Sequence, residues 1–178
     1  MARIHPWEGV SYRHGVLGRR VLVVGESNYD RFLSADADYS GIVKANVQDC
    51  VFEKRTNAYF TKIGKLLLMA TNPAEPSRAE IREVWTRLAF QNYVKTILTG
   101  ARKSPRAEDW DAAEPLFKED LAYLSPDVVV VAGKRLGSRL AWLQGFVPYV
   151  RTVTIAHPSS GSFSYSSCVG LVADALGT

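Results

Sequence analysis

Two runs of four apolar, β-forming residues constrain the fold of this chain more than any other feature. Residues 21–24 and residues 128–131 contain only valine and leucine. A strand of that composition is buried on both faces, as it is in parallel sheets that helices cover on both sides. The sequence therefore predicts an α/β protein with a central, largely parallel sheet.

Helical patterns lie between the predicted strands. Apolar residues recur at helical spacing, Ser77 and Glu80 form a capping box, and Pro115 is tolerated in the first turn of its predicted helix. Alternation of this kind predicts a three-layer sandwich of the doubly wound type. Predicted helices cover 59–70, a segment after Ser77, 111–124, about 136–143 and 167–176, and further strands cover 90–98 and 150–155.

Length and composition favour one domain. A chain of 178 residues with 47% hydrophobic content forms one sizeable core and is short for two. Residues 1–19 lack periodicity and contain Pro6 and three glycines, so we expect an irregular N-terminal arm there. Residues 20–178 are expected to form the single domain.

Charge and cysteine content narrow the functional classes. Lys and Arg total 22 against 18 Asp and Glu, a net charge of +4 that suits a polyanionic partner and equally suits ordinary solubility. Cys50 and Cys168 are too few for a disulfide framework or a cysteine-bound metal site. Without a long apolar run, the sequence predicts a soluble, cytoplasmic protein with no membrane partner, no metal and no cofactor.

Polar residues follow two of the predicted strands. Residues 25–29 come directly after the first buried strand, and His157, Ser159 and Ser160 come after the strand at 150–155. In an open parallel sheet the ligand crevice lies beyond the carboxyl ends of the strands. We therefore expect both segments to line one crevice.

Each residue of this crevice has a chemical and a structural interpretation. Glu26 offers a carboxylate that orients a water molecule, and His157, held by Pro158, offers a donor to a developing oxyanion. The alternatives are a surface carboxylate and a histidine packed in its loop. Ser159, Ser160 and Gly161 offer hydroxyl and N–H groups for a phosphate, or form only a serine-rich turn.

Three further features suit a nucleic-acid ligand. Asn92 presents an amide that matches the edge of uracil, or simply joins two loops. Phe60 offers a face for stacking a base, although its helical spacing equally predicts a core residue. Arg102, Lys103 and Arg106 lie in a short basic loop that contacts phosphates or is merely solvated.

These segments, in this order, resemble the uracil-DNA glycosylase superfamily. The likeness spans roughly residues 20–165. It rests on four motifs, supported by the basic loop and by residues 116–133, which join a helix, a proline and a valine-rich strand. The four motifs are residues 21–29 (VLVVGESNY), 59–67 (YFTKIGKLL), 91–95 (QNYVK) and 157–160 (HPSS).

The resemblance implies specific roles and contains departures. Glu26 matches the position of a glutamate in the iron–sulfur branch, but two cysteines cannot hold that cluster. Ser27 stands where another branch has Asp, and Asn28 replaces a common proline. Tyr29 matches the tyrosine that excludes the thymine methyl group. Gly161 stands at the position of the intercalating leucine, which leaves Phe163 or Tyr165 as the wedge.

The family likeness predicts a DNA glycosylase of base excision repair. Its partner would be single- or double-stranded DNA with a damaged base, flipped out, stacked on Phe60 and read by Asn92 together with Gly25, Ser27 and Tyr29. Two alternatives stay open: an inactive protein of the same fold that binds DNA or a protein, and an enzyme acting on a nucleotide or another small heterocycle.

Overall fold

A five-stranded sheet lies at the centre of the protein in a computed structural model, which describes residues 3–30, 38–53, 57–100 and 103–178. The strand order is β1-β3-β2-β4-β5. Strands β2 to β5 run parallel, and only β1 pairs in the antiparallel direction. The strands are β1 Trp7–Glu8, β2 Val21–Tyr29, β3 Leu88–Leu98, β4 Val128–Ala132 and β5 Arg151–Ile155.

Helices cover both faces of this sheet, which makes three layers. One face packs against α1, α2, α3 and α7, and the other packs against α4, α5 and α6. The predicted α/β class with a largely parallel central sheet is confirmed. The described helices are α1 Ile42–Val47, which continues as a π-helical turn at Gln48–Phe52, α2 Ala58–Thr71, α3 Arg78–Thr86, α4 Ala107–Leu124, α5 Lys134–Arg139, α6 Leu143–Phe146 and α7 Tyr165–Leu176.

Strand β2 shows why its residues must be apolar throughout. Val21 and Val23 pack into the core on one face, while Leu22 and Val24 pack into the core on the other. All four side chains are fully buried, because successive side chains of a strand point to opposite faces and both faces carry helices. Strand β2 extends to Tyr29, five residues beyond the predicted apolar run.

Two predicted helices differ from the structure. Helix α4 begins at Ala107, so Pro115 lies in its interior and not in its first turn. The early start is stabilised by Asp109, whose carboxylate accepts the backbone N–H of Arg106 at 2.8 Å. The helix predicted at 136–143 is instead two short helices, α5 and α6, which are separated by a turn at residues 140–142.

The N-terminal segment is more than a covering arm. Its two-residue strand β1 pairs with the edge of β3, where Trp7 lies opposite Phe90. Ile4, Tyr12 and Val16 are buried in the two cores. The segment lacks helical or strand periodicity because only single side chains, spaced irregularly, reach the core.

The carboxyl ends of β2, β4 and β5 lie at one edge of the sheet, as their parallel direction requires. Beyond Ser27 the pairing of β2 with β3 changes register, and Asn28 lies opposite Ile97. Across the described ranges, none of the helices combines the length and apolar character that crossing a membrane requires.

Candidate active site

A cavity of about 750 Å³ opens at this edge of the sheet. Its walls come from the ends of β2, β4 and β5, from the start of α2 and from the start of α5. A volume of this size suits a small-molecule or base-sized ligand. Nine of the predicted site residues line it: Gly25, Glu26, Ser27, Tyr29, Phe60, Asn92, His157, Ser159 and Ser160.

Asn92 lies across β2 within this cavity. Its Nδ2 donates a hydrogen bond of 2.7 Å to Oδ1 of Asn28. Its own Oδ1 occupies the space beside Gly25, where a Cβ would lie 2.2 Å from that oxygen. Glycine is therefore needed at position 25 because the amide of Asn92 fills the space of a side chain.

Asn28 and Tyr59 carry buried polar atoms without a protein partner. Asn28 is 2% exposed, and among the described residues neither its Nδ2 nor the hydroxyl of Tyr59 has a hydrogen-bond partner. Burial raises the pKa of Tyr59, so its hydroxyl keeps its proton. Unpaired buried donors are rare in folded proteins, and both residues line the cavity.

Neither residue has a functional role that its sequence context predicts. Asn28 was expected to line the crevice with residues 25–29 and was noted as a replacement for proline, and Tyr59 was noted only as part of a motif. The position of Asn28 directly after a buried apolar run was the available signal for it. Tyr59 gave no such signal, because its helical spacing is the same as that of core residues.

Glu26 forms an ion pair with Arg135, which the sequence analysis did not predict. Arg135 Nε donates to Oε2 of Glu26 at 2.8 Å, and its Nη2 donates to Oε1. Planar, two-point contact of this kind is the strong geometry for a guanidinium and a carboxylate. Glu26 is therefore a paired carboxylate and not an isolated one.

Arg135 lies in the first turn of α5, directly beyond β4. Gly133 turns the chain there with a φ of 128°, a value that glycine adopts readily. Nη1 of Arg135 also donates to Oγ of Ser104 at 3.1 Å. This contact connects the predicted basic loop to Glu26.

The hydrogen bonding of His157 defines its tautomer. The backbone N–H of Ser159 donates to Nδ1 at 3.1 Å, so in the neutral ring Nδ1 is an acceptor and the proton is on Nε2. Burial lowers the pKa of His157, and the nearby charge of Glu26 opposes that shift. At neutral pH the residue is an uncharged donor at the wall of the cavity.

Phe60 and Tyr29 occupy contrasting positions. Phe60 is 7% exposed, with its ring tilted against Trp85 and edge-on to Phe90. Most of its ring therefore belongs to the core, although the residue also lines the cavity. Tyr29 is about half exposed at the end of β2, where it forms part of the cavity wall.

The basic loop predicted to contact DNA contributes no described basic residue to the cavity wall. Arg102 lies outside the described residues. Arg106 pairs with Glu108 at 2.5 Å and with Asp109 at 3.4 Å, so two carboxylates neutralise its charge. Lys103 is exposed and has no ion pair with another described residue. Neither Lys103 nor Arg106 lines the cavity.

The serine-rich turn after His157 is ordered by its own hydrogen bonds. The N–H of Ser160 donates to the His157 carbonyl at 2.8 Å, and the hydroxyls of Ser160 and Ser162 are 2.8 Å apart. Gly161 is exposed but does not line the cavity.

The two aromatic residues predicted as wedges pack together. Phe163 lies against Tyr165 with ring centroids 5.3 Å apart, beneath the ammonium groups of Lys62 and Lys65. In this arrangement both rings contact the protein rather than projecting from it.

The site combines an uncharged imidazole donor, a paired carboxylate and an amide beside two unpaired polar groups. Among the described residues, no group of three or more His, Cys, Asp and Glu side chains is arranged to hold a metal ion. The chemistry available to these residues is acid–base and electrostatic.

The sequence matches no protein-family model and no curated protein.

Proposed function

We propose that this protein is a divergent member of the uracil-DNA glycosylase superfamily. It hydrolyses the N-glycosidic bond of uracil or another deaminated base that has been flipped out of DNA. The motif likeness suggested this activity, and the three-layer fold with a site beyond the carboxyl ends of parallel strands is compatible with it.

One observation carries the proposal. His157 follows β5 and Asn92 lies in β3, two strands that are not neighbours, yet both residues line the same cavity as Glu26. A base bound between them would meet an amide at its polar edge and an Nε2–H donor near its carbonyl. Those are the groups that base reading and leaving-group stabilisation require.

The roles follow from charge development in the reaction. As the bond to C1′ breaks, the electron pair leaves with the base, and Nε2–H of His157 donates to the oxygen on which negative charge grows. Glu26 orients a water molecule toward the cationic sugar through lone pairs that Arg135 does not occupy. The water supplies the hydroxyl at C1′, and its proton neutralises the departing base.

Excision assays with labelled oligonucleotides test the proposal. Single-stranded and duplex substrates with uracil, hypoxanthine or thymine are incubated with the protein, and abasic product is measured after alkaline cleavage. We expect product from a deaminated base and none from thymine. His157→Gln should lower the single-turnover rate about 100- to 1,000-fold, and Asn92→Ala should reduce discrimination between bases.

A second candidate is a protein of this fold that binds DNA without catalysis. The pairing of Glu26 with Arg135 favours it, because the guanidinium engages both carboxylate oxygens and leaves fewer lone pairs for a catalytic water molecule. Tight binding to every substrate without abasic product would support this candidate and overturn the glycosylase. Pull-down experiments with the full chain would then test whether the protein binds another protein.

A further inference from the structure

We infer that Arg135 is a positioning residue for Glu26: its guanidinium holds the carboxylate in one orientation at the edge of the cavity. This inference rests on the proposed function and adds a residue that none of the sequence motifs contains. Arg135 acts through Glu26 and does not itself touch the base.

The geometry of this ion pair supports the inference. Arg135 contacts both carboxylate oxygens of Glu26, and its third nitrogen is held by the hydroxyl of Ser104 at 3.1 Å. Three contacts from one guanidinium restrict the rotation of both side chains. A single-point contact from a lysine would not restrict the carboxylate in this way.

The position of Arg135 in the fold also supports the inference. Arg135 is in the first turn of α5, which contains no acidic residue. The amino end of a helix favours negative charge, so an arginine there does not stabilise the helix. The pairing with Glu26 explains why an arginine occurs at this position, whereas helix stability does not explain it.

Glu26 and Arg135 differ in their exposure to solvent. Glu26 retains only 18% of its side-chain surface, whereas Arg135 retains 57%. The carboxylate is therefore enclosed at the cavity, while the guanidinium closes the pair from the solvent side. A carboxylate accepts about four hydrogen bonds, so the two from Arg135 leave capacity for a water molecule.

Glu26 also contributes to the electrostatic environment of His157. Glu26 from β2, Tyr59 from α2, and Lys134 and Arg135 from α5 line the same cavity as this imidazole. The Tyr59 ring lies 5.3 Å from it, and Lys62 of α2 donates to the carbonyl of Pro158. Glu26 is the acidic group that raises the pKa of His157. Removing Arg135 would leave that negative charge uncompensated.

The test compares Arg135→Gln with Glu26→Gln, the double variant, Arg135→Lys and the control Arg139→Gln. Arg139 lies on the same helix, outside the cavity lining, and packs over Trp110. We expect Arg135→Gln to lower the single-turnover excision rate about 10- to 100-fold, as for a misplaced reacting group. Arg135→Lys should restore only part of that loss, and Arg139→Gln should match the wild type.

The double variant separates positioning from a general effect. If Arg135 acts only through Glu26, the double variant is no slower than Glu26→Gln alone. An additive loss in the double variant, or an equal loss in Arg139→Gln, would overturn the inference. Thermal unfolding of each variant checks that the fold is retained.

A second readout does not depend on activity. Titration of His157 by NMR should show a higher pKa in Arg135→Gln than in the wild type, and no such rise when Glu26→Gln is added. An unchanged pKa in Arg135→Gln overturns the inference whatever the excision rates are. Wild-type protein that excises no base overturns the proposed function instead, and the titration then decides alone whether Arg135 controls the Glu26 carboxylate.

Discussion

The side chain of Asn92 crosses from β3 to β2 and donates a 2.7 Å hydrogen bond to Asn28. This bond joins the residue best suited to reading a base to a second, buried amide whose Nδ2 has no partner among the described residues. The two amides therefore act as one polar unit in the cavity wall. Gly25 provides the space in which that unit lies.

Gly25→Ala should displace the amide of Asn92. A Cβ at position 25 would lie 2.2 Å from Asn92 Oδ1 and 3.1 Å from the Tyr59 hydroxyl, and crowding of this kind typically costs about 1–3 kcal/mol. We expect lower stability in chemical denaturation and loss of base discrimination in excision assays.

The matched control for that variant is Gly170→Ala. Gly170 lies within α7, and a Cβ there meets no atom within 4 Å. Replacing a helical glycine with alanine should stabilise the protein by roughly 0.5–1 kcal/mol. Equal effects of the two substitutions would contradict the close approach of Asn92 to Gly25.

Lys103 and Arg106 should differ in their contribution to DNA binding. Arg106 is neutralised by Glu108 and Asp109, whereas Lys103 has no carboxylate partner in the part of the chain that the structure describes. Lys103→Ala should reduce the slope of log K against log salt by about 1. Arg106→Ala should leave that slope nearly unchanged, and fluorescence anisotropy across a salt series measures both; equal slopes for the two variants would contradict this assignment.

His157 should make the stability of the protein depend on pH. Burial lowers its pKa in the folded state below the ordinary value of 6.5, so near that pH the unfolded chain binds more protons. The stabilisation is therefore fully present above pH 6.5 and is lost as the pH falls through the pKa of the folded state. Denaturation from pH 7.5 to pH 5 should show a loss in the wild type that His157→Gln does not share.

The same protonation should affect the turn after His157. A proton on Nδ1 would face the N–H of Ser159, which donates to that nitrogen in the neutral state. We expect the NMR resonance of the Ser159 amide to shift with the titration of the imidazole. A Ser159 amide that does not respond to that titration would contradict the assigned tautomer.

Pro115→Ala should stabilise the protein. Pro115 is exposed in the interior of α4, where it donates no hydrogen bond to the carbonyl four residues earlier. Alanine restores that bond and has a higher helix propensity, with a gain of up to about 3 kcal/mol. Thermal unfolding measures the gain, and a lower melting temperature would show that the helix is adapted to the proline.

Much of the fold was predictable because its signals are local. The apolar runs at residues 21–24 and 128–131 are strands, and the capping box at Ser77 and Glu80 does begin a helix. Helix α1 was missed because it has only six residues and two buried side chains. Pro115 was misplaced because α4 begins at Ala107, four residues before the predicted start at position 111.

The residues of the candidate site were also predictable only where their signal is local. Polar residues directly after a buried strand predicted that Glu26 and His157 would line a crevice, and both do. Arg135 carried no local signal, since its contact with Glu26 joins positions 109 residues apart. Phe60 has a helical spacing that is the same for a stacking face and for a core residue, and its 7% exposure places most of the ring in the core.

By itself, the sequence determined the α/β class, the parallel sheet and the edge of the sheet where polar groups gather, because hydrophobic periodicity and strand direction are properties of neighbouring residues. Only the tertiary structure decided which charges pair and which amides share a hydrogen bond. Those contacts act over a few ångströms between side chains that are distant along the chain, so their energies depend on positions that no local pattern contains.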